Sequence, residues 1–351
     1  MTAVQHAPAA ARPAASTSVR PHRVWLLLLA CLAVLAGLSL ASLVLGNRDL
    51  AIGELFTALT DRQAGDVEHD ILWDQRLPRT LVALAVGAAL GLAGAVMQGI
   101  TRNPLADPGL LGVNAGAAIA VTGAITVLGI TSPLRYIWFA LAGAALAAAL
   151  VYGVGALGRE GATPVKLALA GTAVTAGATS FITLMLLTDR TTLDAYRRWA
   201  VGSLAGRGTD PLVDLAPFLV LGVVLALLTG RTLNLLAMGD DVARGLGQNL
   251  PLARAATGTA VVLLAGGATA LAGPIVFVGL VVPHLARALL GLDYRLILPF
   301  SLLLGPVLIV AADVIGRLVV RPGELEAGIV VAVVGAPVLV AIVRRVKLAG
   351  L

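Results

Sequence analysis

The chain has 351 residues, 58% of them hydrophobic and only 13% charged, at a mean hydropathy of +0.95. A soluble protein carries about 25% charged residues, so the composition excludes an ordinary soluble domain and points to lipid as solvent. The net charge of +6 does not mark a nucleic-acid binder, because the 25 Lys and Arg lie scattered between apolar runs, with no basic stripe and no aromatic platform.

Residues 1–22, rich in Ala, Pro, Ser and Thr, read as a disordered tail. A signal peptide is the rival reading, but the apolar run 25–46 is longer than the ~7–15 residues of a signal core, and it reads as helix 1. Residues 47–79 form a polar loop whose 61–70 part is expected to be exposed. Residues 80–101 carry no charge. That is length enough to cross a core of about 30 Å at 1.5 Å per residue. Gly87, Gly91, Gly94 and Gly99 in this helix 2 either let another backbone come close or belong to an ordinary packed span. The segment 103–109, Asn-Pro-Leu-Ala-Asp-Pro-Gly, cannot continue a helix although apolar runs flank it. Irregular backbone at membrane depth must be buried in protein or line a cavity.

Helix 3 is expected at about 112–129, helix 4 at 137–157, and helix 5 at 166–187 behind Thr163 and Pro164. A short surface helix is expected within 194–204, where Leu193, Tyr196, Trp199 and Ala200 recur at helical spacing. Helix 6 follows at 215–228. The polar segment 231–254 separates it from 29 uncharged residues, 255–283, broken at Gly266-Gly267 and Gly273-Pro274 into helix 7 and the start of helix 8, which ends near Leu290. Helices 9 and 10 cover about 296–315 and 328–343, before a tail with Arg344, Arg345 and Lys347. The fold class is all-α, a polytopic membrane protein of about ten transmembrane helices. A cytoplasmic tail at 1–22 precedes one transmembrane domain at 23–351. Ten spans put both termini on one side, and the distribution of basic residues favours the cytoplasmic side by a small margin.

The run 88–95 of helix 2 echoes 268–274 of helix 7. An odd number of spans in each half makes the halves two inverted repeats, a transporter architecture in which Gly/Pro-interrupted segments in matching positions mark the pathway. Chance likeness between Gly/Ala-rich helices is the alternative. Nothing in the chain promises covalent chemistry. There is no Walker motif, no Gly-x-Ser-x-Gly and no His-Glu-x-x-His. Cys31 stands alone inside helix 1, and His6, His22, His69 and His284 have no metal-ligand spacing, so neither a metal nor a cofactor is expected.

Arg76-Leu-Pro-Arg79 before helix 2 and Asn103-Pro104-Leu105-Ala-x-Pro after it, with a second signature near 273–295, resemble the iron–siderophore and vitamin B12 importer permeases, the membrane subunits of type II ABC importers. The likeness runs from about Arg23 to Arg345. It implies a permease working as a dimer in the bacterial plasma membrane, made with a second copy or a paralogue. Two ATP-binding subunits would sit on the cytoplasmic side and a solute-binding protein outside, with a ferric siderophore as cargo and cobalamin or haem as the alternatives. It also implies roles for residues. Arg76, Arg79 and Arg317 would dock the binding protein, since guanidinium forks pair with carboxylates. Membrane-surface anchoring competes for the first two, and an i, i+4 ion pair with Asp313 competes for Arg317. Gly239, Asp240, Asp241, Ala243, Arg244, Leu246 and Gly247, within 231–254, would contact the ATPase as two short helices broken at Gly247, a solvated loop being the plain alternative. Asn103, Pro104, Leu105 and Thr163 would form cytoplasmic constrictions, although an Asn near the membrane core also needs a structural partner. Pro283-His284, Arg287, Asp293 and Arg295 match a further family segment, with His284 read as a packing residue.

The chain departs from the family's pattern at Glu324-Leu325-Glu326-Ala327-Gly328, where a proline is usual in place of Glu326, at Tyr294, where His is common, and at Val338-Leu339, where an aromatic is usual. Two other classes compete. An ion-coupled secondary transporter would want a carboxylate at mid-membrane, and the spans carry almost no acid except Asp313, near an end. A membrane enzyme would want a catalytic cluster.

Overall fold

A computed structural model describes residues 20–46, 48–60, 67–157 and 163–349. Most of the expected tail, and 61–66 of the expected exposed loop, lie outside the described residues. In chain order come α1 (Pro21–Val44), α2 (Ile52–Thr60) and α3 (Val67–Asp70), which runs through a π-helical turn (Ile71–Arg76) into α4 (Leu77–Thr101). A 3-10 turn (Pro108–Leu111) leads to α5 (Val113–Leu128), α6 (Pro133–Gly155), α7 (Pro164–Thr188), α8 (Arg190–Ala200) and α9 (Thr209–Leu228). Then follow α10 (Gly230–Ala237), α11 (Asp240–Gly245), α12 (Leu250–Ala272), α13 (Val278–Leu290), α14 (Tyr294–Val319) and α15 (Ala327–Ala349). Seven helices are long and apolar enough to cross a membrane, and three shorter apolar ones, 113–128, 278–290 and 327–341, bring the number to ten among the described residues.

The polar stretch 47–79 is mostly helix rather than loop. Leu55, Ala58 and Leu72 bury one another there, and Trp73 Nε1 donates to the Ala58 carbonyl (2.9 Å). Helix ends also reach further than the uncharged runs. α9 begins at Thr209 rather than 215, because Asp210 and Pro211 suit a first turn whose N–H groups are unpaired. The surface helix sits at 190–200, capped by Asp189, which accepts from the N–H groups of Thr191 (3.1 Å) and Thr192 (2.9 Å).

The bundle is built around α4. It is buried over most of its length and packs against α14, α12, α13 and α9, whereas α1 leaves Trp25, Leu26 and Leu29 exposed. Its glycines make this possible. A Cβ on Gly87 would lie 2.6 Å from the Gly305 carbonyl oxygen, and one on Gly305 only 1.9 Å from that of Gly87. In lipid, where apolar surface gains nothing by leaving the solvent, such close backbone contact is what helix association depends on. α4 and α12, five spans apart and so opposed in direction, are each followed by a broken segment, 102–112 and 273–277, and then a short apolar helix. Thr269 Oγ1 and Asn114 Oδ1 tie the two halves at 2.9 Å.

The bundle has two working ends. The C-terminus of α1, the N-terminus of α4 and the α14–α15 connection meet at one, the arginine end. The 102–112 turn, α10, α11 and the starts of α12 and α14 meet at the other, the loop end.

Candidate docking, gate and coupling sites

At the arginine end the three arginines of the signature come together, but as buried groups. Arg76, Arg79 and Arg317 are 6%, 9% and 3% exposed. Each answers a specific need. The last carbonyls of α1 have no helical partner. Arg76 Nη1 donates to those of Leu43 (2.6 Å) and Val44 (2.7 Å), and Arg317 Nη1 to those of Ser42 (2.9 Å) and Leu45 (3.1 Å). Arg79 forks onto Asp313, with Nε 3.0 Å and Nη2 2.9 Å from Oδ1, and reaches Glu324 through Nη1 (2.7 Å). Arg317 Nη2 lies 3.0 Å from Asp313 Oδ2 and 2.7 Å from Ser42 Oγ, which in turn meets Thr80 Oγ1 at 2.8 Å. The i, i+4 pair weighed for Arg317 is therefore formed, and the guanidiniums are committed to acceptors within the chain rather than displayed at a rim. They floor a cavity of about 390 Å³ that Arg207 and Glu324 also line. Arg207 donates to the Tyr136 hydroxyl (3.0 Å) and has no carboxylate partner among the described residues.

At the loop end, the Asn-Pro turn is held by its own side chains. Asn103 Oδ1 accepts from the Leu105 N–H (2.9 Å), and Asp107 Oδ1 from that of Gly109 (2.8 Å). Asn103, Pro104 and Leu105 are exposed, while Ala106 and Pro108 are buried against the bundle. The structural bond weighed for Asn103 is thus made, within the turn itself. Thr163 caps α7, its hydroxyl accepting from the Lys166 N–H (3.4 Å), and lines a cavity of about 570 Å³ with Arg102, Gly239, Asp240, Asp241 and Arg254. Behind the turn, Gln98 Nε2 donates to the Gly279 carbonyl (2.9 Å), and its carbonyl oxygen accepts from Arg287.

The segment 231–254 is two short helices and a break, but the break between them falls at Met238–Gly239, not at Gly247. Gly239 takes φ +106°, a backbone that side chains rarely adopt, while Gly247 at φ +82° separates α11 from α12. Met238 and Leu246 are 62% and 60% exposed and Val242 is 44% exposed, whereas Ala243 is fully buried. Asp241 pairs with Arg244 across one turn (2.9 Å). α10 is fastened to α14 by Asn234, which donates to Asp293 Oδ1 (2.7 Å) and accepts from the Tyr294 N–H (2.9 Å). Arg295 beside it, helped by Asn234, holds the Asp293 carboxyl down at about 2. The stabilisation from that shift is present above the ordinary carboxylate value of about 3.9 and is lost only as pH falls towards the folded value, so this fastening is constant at neutral pH.

Sequence reasoning missed Ser42, Thr80, Asn234 and Glu324 as partners and Arg102 and Arg254 as members of the loop-end cavity. Only Asp313 had a signal, its i, i+4 spacing from Arg317. The others pair across tens to hundreds of positions, which no local pattern reports.

Comparison with known proteins agrees with this architecture. A solved structure described as an inward-facing conformation of a metal-chelate type ABC transporter superimposes with a TM-score of 0.79 at 28% identity, over 91% of this chain and 99% of that one. Bacillus subtilis (strain 168) YfiZ, described as a siderophore transport system permease protein, is 43% identical over 92% of this chain and 96% of its own length. The ferric enterobactin transport system permease protein FepD of Escherichia coli (strain K12) is 45% identical over 87% of this chain and 90% of its own. Residues 14–345 match the FecCD transport family. With ten apolar helices, a broken segment in each half and this match over nearly its whole length, the chain is a multi-pass membrane permease belonging to the FecCD transport family.

Proposed function

We propose that this chain is the membrane subunit of an ATP-driven importer that translocates a ferric siderophore handed over by an external solute-binding protein. Two ATP-binding subunits would act on the loop end from the cytoplasm, a second permease copy or paralogue would complete the path, and both termini would lie on the cytoplasmic side of the bacterial plasma membrane. The observation that carries the reading is the loop end itself. A pair of short helices there shows Met238, Val242 and Leu246 to solvent next to the Asn-Pro turn, a place for a force-generating partner of a chain whose sequence carries no Walker motif. The relatives' names, which speak of siderophore, ferric citrate, ferric enterobactin and hydroxamate, favour a ferric chelate over cobalamin or haem. Ion-coupled transport is disfavoured because Asp313 has both oxygens engaged by arginines.

The docking role of Arg76, Arg79 and Arg317 is proposed in a modified form. They shape a basic cavity that Arg207, itself buried and bonded to the Tyr136 hydroxyl, also lines, and the field of that cavity as a whole is what would draw carboxylates of the binding protein. Vesicles holding the permease, its ATPase and its binding protein should take up radioiron chelates only with ATP inside, and binding-protein association should weaken as salt rises. Uptake driven by a proton or sodium gradient without the ATPase would overturn the reading.

The coupling assignment has its own test. Leu246→Ser removes an exposed apolar contact, and Gly247→Val forces a β-branched residue into φ +82°. Both variants are expected to lose about tenfold or more of uptake per ATP hydrolysed, read by paired uptake and phosphate-release assays. Normal uptake in both would remove this segment from the coupling path.

A further inference from the structure

Asp240 stands at the centre of an ionic junction between three elements. One carboxylate oxygen accepts from Arg102, the left-handed residue (φ 52°) that ends α4 and opens the Asn-Pro turn. The other accepts from Arg254 in the first turns of α12 (2.6 Å). Asp240 itself is the first residue of α11. One carboxylate therefore bridges the short helix beside the exposed Val242 and Leu246, the last residue before the gate turn, and the α12 span. The neighbouring Asp241–Arg244 pair lies within α11 and joins nothing. Among the described residues α11 packs chiefly against α10 and α12, so the ionic contact is a direct hold on the turn.

The junction's exposure bears on what it can do. Side-chain exposures are 38% for Arg102, 26% for Asp240 and 22% for Arg254. Charges that keep this much contact with water are screened and contribute little to stability, unlike the buried cluster at the arginine end. A bond of that strength can be made in one position of α11 and broken in another at small cost. The three residues also line the 570 Å³ cavity with Thr163, so α11 has open space on that side in which to move.

The structure assigns Asp240, with Arg102 and Arg254, the part of a breakable ionic clamp that transmits displacement of α11 to the Asn103–Gly109 turn. Arg102 and Arg254 are positioning residues, acting through the turn and α12 rather than on cargo. This rests on the importer reading above.

The test uses the complete transporter, with ATPase and binding protein, in vesicles. Asp240→Asn and Arg102→Gln are expected to lower uptake per ATP hydrolysed about tenfold. Arg102→Lys, which keeps the charge, should retain most of it, and so should Arg254→Lys at the other carboxylate oxygen. A second readout does not depend on those variants being active. In a Cys31→Ser background, Arg102→Cys with Asp240→Cys should be joined by a thiol-reactive bifunctional reagent about as long as the replaced arginine side chain, to an extent that changes when a non-hydrolysable ATP analogue is added. Coupling unchanged in Asp240→Asn, coupling lost as fully in Arg102→Lys and Arg254→Lys as in Arg102→Gln, or cross-linking indifferent to nucleotide would each overturn the clamp. Wild-type vesicles without ATP-dependent uptake would instead remove the importer reading.

Discussion

Asp313→Ala is expected to lower the protein's stability by about 3–5 kcal/mol, the range measured when one partner of a buried ion pair is removed. Asp313 is 1% exposed and takes both Arg79 and Arg317, so its loss leaves two buried guanidiniums facing each other across an empty space. Arg79 would keep Glu324, and Arg317 its carbonyl acceptors on α1, which sets the effect below that of two isolated buried charges. A thermal melt in detergent should fall by on the order of 10 °C. An unchanged melt would mean that water reaches the cluster freely. Replacing the three residues with apolar ones of similar volume, Arg79→Met, Asp313→Leu and Arg317→Met together, should cost less than Asp313→Ala alone, because no guanidinium is left buried without its carboxylate. Glu324, which loses Arg79, has a side chain 29% exposed that water can reach, although the Ser42 and Leu45 carbonyls lose a donor. That triple variant also separates the two roles weighed for these arginines. If it melts normally and still receives the binding protein, their work is to fasten α1, α4 and α14. If it melts normally and binding is lost, the basic cavity they floor is the docking element.

The two ends of the molecule show what a sequence can and cannot disclose. The spans and the break at 103–109 were legible because charge-free length and helix-breaking residues act locally. So was the polar segment 231–254, since a cluster of charged and polar residues between apolar runs cannot lie in lipid. Arg76 and Arg79 were legible as important but not as buried. Their acceptors are carbonyls at the end of α1 and a carboxylate 234 positions away, and side chains of this length fold inward or outward according to partners that only the tertiary structure supplies. The same holds at the loop end. Asp240 was visible as an acid opening a short helix, yet its attachment to Arg102, 138 positions earlier, depends on the path of four intervening spans. Helix boundaries failed where polar residues sit inside helices, as in the continuous run from Val67 through the π turn into α4. Asp70, Asp74 and Gln75 there look like loop by composition.

The crossing of α4 and α14 sets up an opposed pair of glycine substitutions. In the middle of a helix, alanine is favoured over glycine by about 0.5–1 kcal/mol, so Gly→Ala should stabilise wherever space allows. Gly123, inside α5, has nothing within 4 Å of where its Cβ would stand, and Gly123→Ala is expected to be neutral or to raise the melting temperature slightly. Gly305 has no such room. Its Cβ would lie 1.9 Å from the Gly87 carbonyl oxygen and 2.6 Å from the carbonyl carbon, backbone atoms that no rotamer change can move. Gly305→Ala must push the helices apart, giving up the close contact that holds them together in lipid. The expected cost is at the upper end of the 1–3 kcal/mol seen for overpacked cores, about 3 kcal/mol or more, and Gly305→Leu should prevent the protein from accumulating in membranes. The damage would spread along α14, because Asp313 lies just over two turns beyond Gly305 and must keep its register with Arg79 on α4. If Gly305→Ala melts like the wild type, the α4–α14 contact is looser than described and the alignment of the arginine cluster cannot depend on it. If it destabilises while Gly123→Ala does not, the backbone approach at this crossing is what sets the spacing of the bundle.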